Sequence, residues 1–477
     1  MKRLMIWLIV SIYMILISGK IPVQAISFLN DRLTISGFLK NETAYNVGHD
    51  KDFMKIENTF QLETEYKFND SFSLFFIVRG FYDSAFDANP KFERNRHILC
   101  RTRGTDWLRE FYLDYYSPDL DIRIGKQQVV WGRADGVKIM DVVCPTDQRE
   151  YLLDRYADSR IPLWMLKIEY SPTINGTLQL LFIPDFETDF FAPAGSPFTY
   201  QANELKGELS EGINGLSEIP IIGRGYSFTE IHDKPGQSFK NASFGLRWLD
   251  ILPNGLEYTL NYLHGYGTPG GRVFIYNYAP PLLPFLPPRG DWVLKFKYHH
   301  VELLGFTFTK GINTGTLRGL SIRGEFAYIH NNYNGYETPD RLGGITRVDN
   351  YRYVIGLDKY IWTNWLFSFQ FIQFITDRDD EHGNKLLFGA TKAPLDQFQT
   401  ILSLKVSTDF MHERIKPECL ILYGEYNDWR VSPRIDYELR DYLNISFGGH
   451  FFWGRKDQLF GEFRDNDEIY IEIKYGF

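Results

Sequence analysis

Apolar and polar residues alternate along most of this chain, and the alternation is cleanest at its end. In Ile469-Tyr470-Ile471-Glu472-Ile473-Lys474-Tyr475-Gly476-Phe477, every odd position is apolar or aromatic and polar residues fall between them. Side chains of a strand point to opposite faces with period two, so this segment has one apolar and one wetter face. The pattern recurs at 33–47, 54–69, 72–83, 106–117, 121–133, 162–172, 176–187, 242–252, 255–267, 299–312 and 316–331. It continues at 350–362, 364–377, 399–411, 417–427, 428–440, 443–454 and 466–477. These are about 18 segments, an even number, each long enough to cross a bilayer as a tilted strand. Two junctions, 427–429 and 373–377, are weakly marked, which leaves 16 strands as the alternative count.

The connections sort by length. Short ones rich in Asn, Asp, Pro and Gly, such as Ser117-Pro118-Asp119 and Leu252-Pro253-Asn254-Gly255, alternate with long ones at 84–105, 134–161, 188–241, 268–298, 332–349, 378–398 and 455–465. Asn, Asp and Gly satisfy turn geometry, and short turns on one side with long loops on the other is the transmembrane-barrel pattern. A soluble sandwich also ends on half-buried strands, but it has no reason to sort its loops by parity. The expected fold is therefore all-β: a transmembrane antiparallel β-barrel of about 18 strands, with short periplasmic turns and long external loops.

The beginning of the chain fits this reading. Lys2 and Arg3 precede an apolar run from Met5 to Ser18, and Val23-Gln24-Ala25 offers a small-residue cleavage site. Residues 1–25 read as a secretory signal peptide, with 26–477 as one barrel domain. Beyond residue 25 no apolar run reaches the roughly 18 residues of a spanning helix, so a membrane can be crossed only by a closed barrel. The terminal Phe477, closing an alternating strand, resembles the assembly signal of bacterial outer-membrane barrels. That resemblance implies the barrel-assembly machinery as a partner, with outer-membrane lipids and lipopolysaccharide around the wall.

Composition narrows the class further. Aromatic residues make up 17% of the chain, suited to strands and interfacial girdles. Mean hydropathy is −0.28, which suits a barrel with wet loops and a wet lumen. The net charge of −8 lacks the positive excess that a nucleic-acid partner requires. No spacing of His, Cys, Asp and Glu suggests a metal site, and no cofactor motif is present.

The inward faces carry charges of both signs. Arg79, Glu110, Asp114, Arg123, Arg323, Glu325, Arg434, Asp436 and Glu472 are the lumen-wall candidates, with Lys405, Asp409, Arg430, Glu438 and Lys474. Such charges either pair across strands and stiffen the wall, or line a hydrated path for small solutes. The third external loop, 134–161, is the candidate constriction. With the adjoining Arg133, it sets the acids Asp135, Asp141, Asp147 and Asp154 among the bases Lys138, Arg149 and Arg155. The alternative is a salt-bridged cap over the mouth of the barrel.

Residues 121–165 also carry a family resemblance. The strand Arg123-Ile124-Gly125-Lys126-Gln127, Trp131-Gly132, then Asp141-Val142-Val143-Cys144-Pro145-Thr146-Asp147 and Arg160-Ile161-Pro162 resemble a domain-of-unknown-function family of proteobacterial outer-membrane proteins. More loosely, the Gly-Lys-Gln strand is similar to those of alginate-export and phosphate-selective porins. The resemblance implies a barrel and lends no substrate. Cys144 departs from it, standing where the family pattern has Asn.

Three further features stay open. Phe182, Phe186, Phe190, Phe191 and Phe198, together with the Pro-rich run at 273–287, make two external loops unusually apolar. They suit either a hydrophobic entry port or packing between loops. Cys100 and Cys144, on successive external loops, are candidates for a disulfide in an oxidising compartment; Cys419 reads as a lone small hydrophobe. His299 and His300 lack a nucleophile elbow, so the chain reads as no enzyme. The expected function is a porin-like channel for passive passage of small solutes. Alternatives are a barrel carrying hydrophobic molecules and, behind it, a structural barrel or a membrane-embedded lipid hydrolase.

Overall fold

The computed structural model describes residues 26–88, 107–151, 153, 155–192, 196–198, 228–236, 238–267, 271–279, 289–336, 344–377, 386–387, 396–456 and 458–477. Eighteen strands form the wall. The first six are β1 (Leu33–Asn46), β2 (Phe53–Lys67), β3 (Phe72–Asp83), β4 (Leu108–Tyr116), β5 (Leu120–Gln127) and β6 (Leu163–Tyr170). Next come β7 (Thr177–Ile183), β8 (Ser243–Ile251), β9 (Leu256–Tyr266), β10 (His300–Ile312), β11 (Leu320–Tyr336) and β12 (Gly344–Ile361). The ring ends with β13 (Trp365–Thr376), β14 (Phe398–Ser407), β15 (Ile415–Gly424), β16 (Asp428–Arg440), β17 (Leu443–Trp453) and β18 (Glu468–Gly476). Each pairs antiparallel with its sequence neighbours, and β18 returns to β1 with Asn46 opposite Glu468 and Phe38 opposite Gly476. The sheet is closed and the count is 18, so the alternative of 16 falls away.

Closure explains the alternation. Leu260 is 56% exposed while its neighbour Asn261 is 4% exposed, the reverse of a soluble core. Leu304, Phe306, Ile355, Phe447 and Ile471 likewise face outward, and Thr259, Gln370 and Ser446 are buried inside. An apolar outer wall suits hydrocarbon, and a ring with no free edge leaves no ladder hydrogen bond unpaired there.

The turns are built as their composition implies. Asn69 Oδ1 accepts the amides of Ser71 and Phe72, each at 2.9 Å. Gly255, at φ 76°, closes the β8–β9 turn, its amide donating to the Leu252 carbonyl at 2.8 Å. One external connection carries no Gly or Pro. Glu425–Asn427 joins β15 to β16 with Tyr426 and Asn427 both at positive φ, which is why the 427–429 junction is hard to read from composition. The 332–349 connection also differs from expectation. β11 and β12 run on to Tyr336 and Gly344 past a bulge between Ile329 and Asn332, so the loop is shorter.

β5 ends sooner than the alternation suggests. The ladder stops at Gln127, whose side-chain amide donates to the Met165 carbonyl at 3.1 Å, and Gln128 onward leaves the wall. Smaller pairings lie outside the ring. Ile26–Phe28 adds to β1, Asp147–Gln148 runs parallel to Phe190–Phe191, and Leu386–Leu387 pairs with the end of β11. Phe228–Asp233, Arg289–Lys297 and Gly271–Ala279 form a separate three-stranded sheet inside the connections before β8 and after β9.

The seam is tight at Gly37. Its amide donates to the Phe477 carbonyl at 2.8 Å and its carbonyl accepts the Phe477 amide at 3.0 Å. A Cβ here would meet the Phe477 ring at 2.8 Å and the Gln61 carbonyl. Gly37→Val should therefore lower the yield of barrel that resists unfolding by detergent, scored as heat-modifiable migration on a gel. Gly80→Val, where a Cβ meets nothing within 4 Å, should refold as the wild type does.

Candidate functional site

The segment from Gln128 to Arg160 leaves β5 and turns into the ring. Trp131 is its first anchor, 1% exposed, its Nε1 donating to Gln179 Oε1 on β7 at 2.8 Å. Glu325 on β11 is the second. One of its carboxylate oxygens accepts the Arg133 amide and the other accepts the Met140 amide at 3.0 Å. Gln370 on β13 holds Asp135 Oδ2 at 2.8 Å, and Arg323 on β11 binds the same carboxylate. Farther along, Glu150 pairs with Lys55 on β2 at 2.7 Å, and Asp158 with Arg79 on β3 at 2.6 Å. In a ring of 18, β2 and β11 lie nine strands apart, so a segment bound to both crosses the lumen.

Two kinds of wall receive it. On β6–β15, toward the loop end, inward positions are apolar: Leu163, Leu181, Leu263, Leu303, Ile372 and Leu422 pack around Ile139, Met140 and Val143. Burial of such groups is worth about 1.5–3 kcal/mol each relative to exposure. Gly305 on β10 lies against Met140; a Cβ on it would overlap the Met140 sulfur. On β16–β18 and β1–β5 the inner wall is charged. Arg123 grips Asp114 through two bonds of 2.6 and 2.9 Å and lies over the Tyr112 ring at 3.8 Å. Arg434 pairs with Asp436 at 2.6 Å and reaches Glu472 at 3.4 Å. Lys55 joins Glu42 at 2.8 Å, and Glu110 accepts Gln128 Nε2 at 2.8 Å.

The charges read from the sequence are thus mostly partnered. Arg133 pairs with Glu257 on β9 at 2.8 Å, and Arg323 with Asp358 on β12 at 2.8 Å. Lys138 and Arg160 both address Asp141, at 3.5 and 2.8 Å. Arg149 holds Asp147 at 2.5 Å between the rings of Phe81 and Phe190. Arg155 reaches Asp436 at 3.3 Å from an exposed position. Asp409 belongs to the β14–β15 turn rather than the wall. Asp154 lies outside the described residues. So does Cys100, the partner expected for Cys144. Cys144 itself is a buried free thiol whose sulfur accepts the Val129 amide at 3.4 Å.

Burial shifts the loop's own titrations. It lowers the Lys138 ammonium below its usual range, Asp141 offsetting only part of the effect. It pushes the Cys144 thiol up to about 12, which makes it unreactive. At Asp158 burial opposes ionisation, but Arg79 and Lys40 outweigh it and hold the carboxyl below the ordinary range.

The wall partners Lys55, Gln179 and Gln370, and Asp158 in the segment itself, are not singled out by any motif. For the wall partners the only signal is an inward polar position on a strand, shared with many others. The apolar part of the inner wall is not among the lumen features read from the sequence, which were charges of both signs.

The model of the family described as "Protein of unknown function (DUF1302)" matches residues 34–477. A search of the curated proteins finds no match. Among solved structures, Acinetobacter baumannii OccAB1 is similar over 95% of this chain and 98% of its own, at 9% identity and TM-score 0.52. Pseudomonas aeruginosa OccK3 (OpdO) is similar over 93% and 95%, at 10% identity and TM-score 0.50. Pseudomonas aeruginosa OccK8 (OprE) is similar over 95% and 99%, at 9% identity and TM-score 0.50. At these identities the likeness is one of fold: a porin-like β-barrel.

Two outcomes follow from the anchors. Glu325→Ala leaves the buried Met140 amide and the part-buried Arg133 amide without an acceptor, at about 1–3 kcal/mol for a buried one. Urea unfolding of the refolded barrel should show a loss of about 2 kcal/mol or more, and Glu325→Gln, which keeps one acceptor, roughly half of it. The Asp158–Arg79 pair has a depressed carboxyl, so its contribution is complete above the ordinary carboxylate value of about 4 and is lost as pH falls through the lower folded value. Open-channel noise from the segment should rise only below about pH 4 and be present already at pH 7 in Asp158→Asn. A rise between pH 7 and 5 would assign it to other groups.

Proposed function

We propose that this chain, which belongs to the DUF1302 family, is a porin-like channel of the bacterial outer membrane for passive passage of small solutes. In this reading residues 1–25 are the export signal and 26–477 one barrel, seated among outer-membrane lipids and lipopolysaccharide. The assembly machinery recognises its last strand and Phe477. We read the third external loop, 134–161, as the constriction, and Arg133, Asp135, Lys138, Asp141, Asp147, Arg149, Asp154 and Arg155 as its candidate residues.

One observation carries the reading: the segment is bonded to Glu325 on β11 and to Lys55 on β2, across the ring from each other. A surface cap would have no reason to spend its amides and carboxylates on inward-facing wall residues. An 18-strand ring is wide enough for water unless something fills it, so what crosses the lumen sets the passage. The unsealed side is the charged one, where Arg155, Asp158 and Asp436 remain partly exposed. Mixed charge favours polar solutes without strong ionic selectivity. We read this chain as a channel rather than an enzyme.

A second reading has its own support. The apolar inner wall of β6–β15 suits a barrel that carries hydrophobic molecules along that side.

Planar-bilayer recording separates these. The intact barrel should give discrete open steps in plain salt, and deletion of 138–156 should raise the conductance several-fold. Unchanged conductance in a correctly folded deletion variant would remove the loop from the constriction. Silence from the intact barrel would favour the second reading.

A further inference from the structure

We propose that four aromatic rings, Tyr151, Phe198, Phe452 and Phe463, form a lock that shuts the outer mouth of the barrel above the charged wall. They come from four stretches of chain. Tyr151 belongs to the lumenal segment, Phe198 to the connection after β7, Phe452 to the outer end of β17, and Phe463 to the connection that follows it. Phe198, Phe452 and Phe463 make a triangle: centroids are 5.7 Å apart for Phe198 and Phe463, 6.4 Å for Phe198 and Phe452, and 6.0 Å for Phe452 and Phe463. Tyr151 lies against Phe463 at 4.6 Å. None of the four is more than 4% exposed.

Polar ties hold the rings against the wall. Asp428, at the outer end of β16, accepts the Phe460 and Gly461 amides at 2.9 and 2.6 Å. Asn46, at the outer end of β1, donates to the Asp465 carbonyl at 3.0 Å, and Asp467 accepts the Phe452 amide at 2.8 Å. The Tyr151 hydroxyl donates to the Leu459 carbonyl at 3.2 Å, and the Asn466 side chain donates to the Pro197 carbonyl. The outer half of this wall is closed to solvent although it is polar: Arg430, His450, Glu468 and Tyr470 are all buried. Exposure returns only lower down, where the side chains of Arg434 and Glu472 reach 14% and that of Asp436 reaches 33%. The charged side of the lumen is therefore closed at its outer end, and a solute taking that course must part the rings. A narrow apolar constriction excludes water and ions by dewetting, so the closed lock is a barrier to both. The inference rests on the channel reading above and adds a gate to it: the loop 134–161 sets the size of the open step, and the rings set how often it opens.

The test is planar-bilayer recording of the refolded barrel in plain salt, reading the fraction of time open separately from the size of the step. Phe198→Ala and Phe463→Ala should each raise the open fraction at least fivefold and leave the step unchanged. Phe198→Leu, which keeps an apolar body in place, should behave as the wild type. Heat-modifiable migration on a gel shows that each variant is folded, and the two alanine variants lie on different connections, so one serves if the other fails to fold. Open steps in the wild type with a fraction that neither folded alanine variant raises would overturn the lock and leave the channel reading standing. Silence from the wild type and from the folded variants alike would overturn both. A rise in Phe198→Leu equal to that in Phe198→Ala would assign the effect to loosening of the connection and also overturn the lock.

Discussion

Each wall strand exchanges backbone hydrogen bonds along both edges, including across the seam where β18 meets β1. In hydrocarbon an unpaired amide has no water to turn to, so this closure is the condition for the rest of the structure. Once the ring is closed, the pleat assigns every side chain to one of two sides. Apolar residues at Leu260, Leu304 and Phe447 go to lipid, and their neighbours go inward. Closure also fixes an interior too wide for wall side chains alone to fill. A second layer of chain is then needed to seal or narrow it, and the segment from Gln128 to Arg160 supplies that layer.

The segment is held by two different physical means on its two sides. Toward β6–β15 it buries Ile139, Met140 and Val143 in a dry contact, nondirectional and dependent on shape. Toward β1–β3 and β16 it is tied by Glu150, Asp158 and Arg155 to Lys55, Arg79 and Asp436. Ion pairs of this kind are weak where water reaches them and stronger where it does not, so they set position more than stability. Glu325 belongs to both sets: buried in the apolar region, it is made tolerable there by the backbone amides it accepts. The asymmetry leaves the charged side as the natural course for water and polar solutes. The apolar side becomes a wall.

The barrel was legible because its rule is local. Period-two alternation and Asn-, Asp- or Gly-rich turns mark strands without knowledge of partners, and all 18 segments lie where that rule puts them. It failed where backbone geometry was carried by unusual residues, as in the Tyr426–Asn427 turn, and where alternation continued beyond pairing, as from Gln128 to Arg133. The segment's loop position and charges were readable. Its anchors were not, because Glu325, Gln370 and Lys55 are separated from their partners by 95 to 235 residues, and only the closed ring brings them together. The apolar inner wall was hidden for a related reason. Leu263 and Leu303 look like ordinary strand residues until register shows that they face in.

The most direct measurement is whether the segment can be locked to the far wall by a disulfide. Met140→Cys and Gly305→Cys, in a barrel with Cys100, Cys144 and Cys419 replaced by Ala, join two positions in direct contact. If the segment crosses the lumen, the bridge forms under mild oxidation in the folded barrel and the gel mobility of the unfolded chain shifts accordingly. Two thiols that stay free and react independently with a water-soluble maleimide would mean that the segment stands outside the ring, and the account would be wrong.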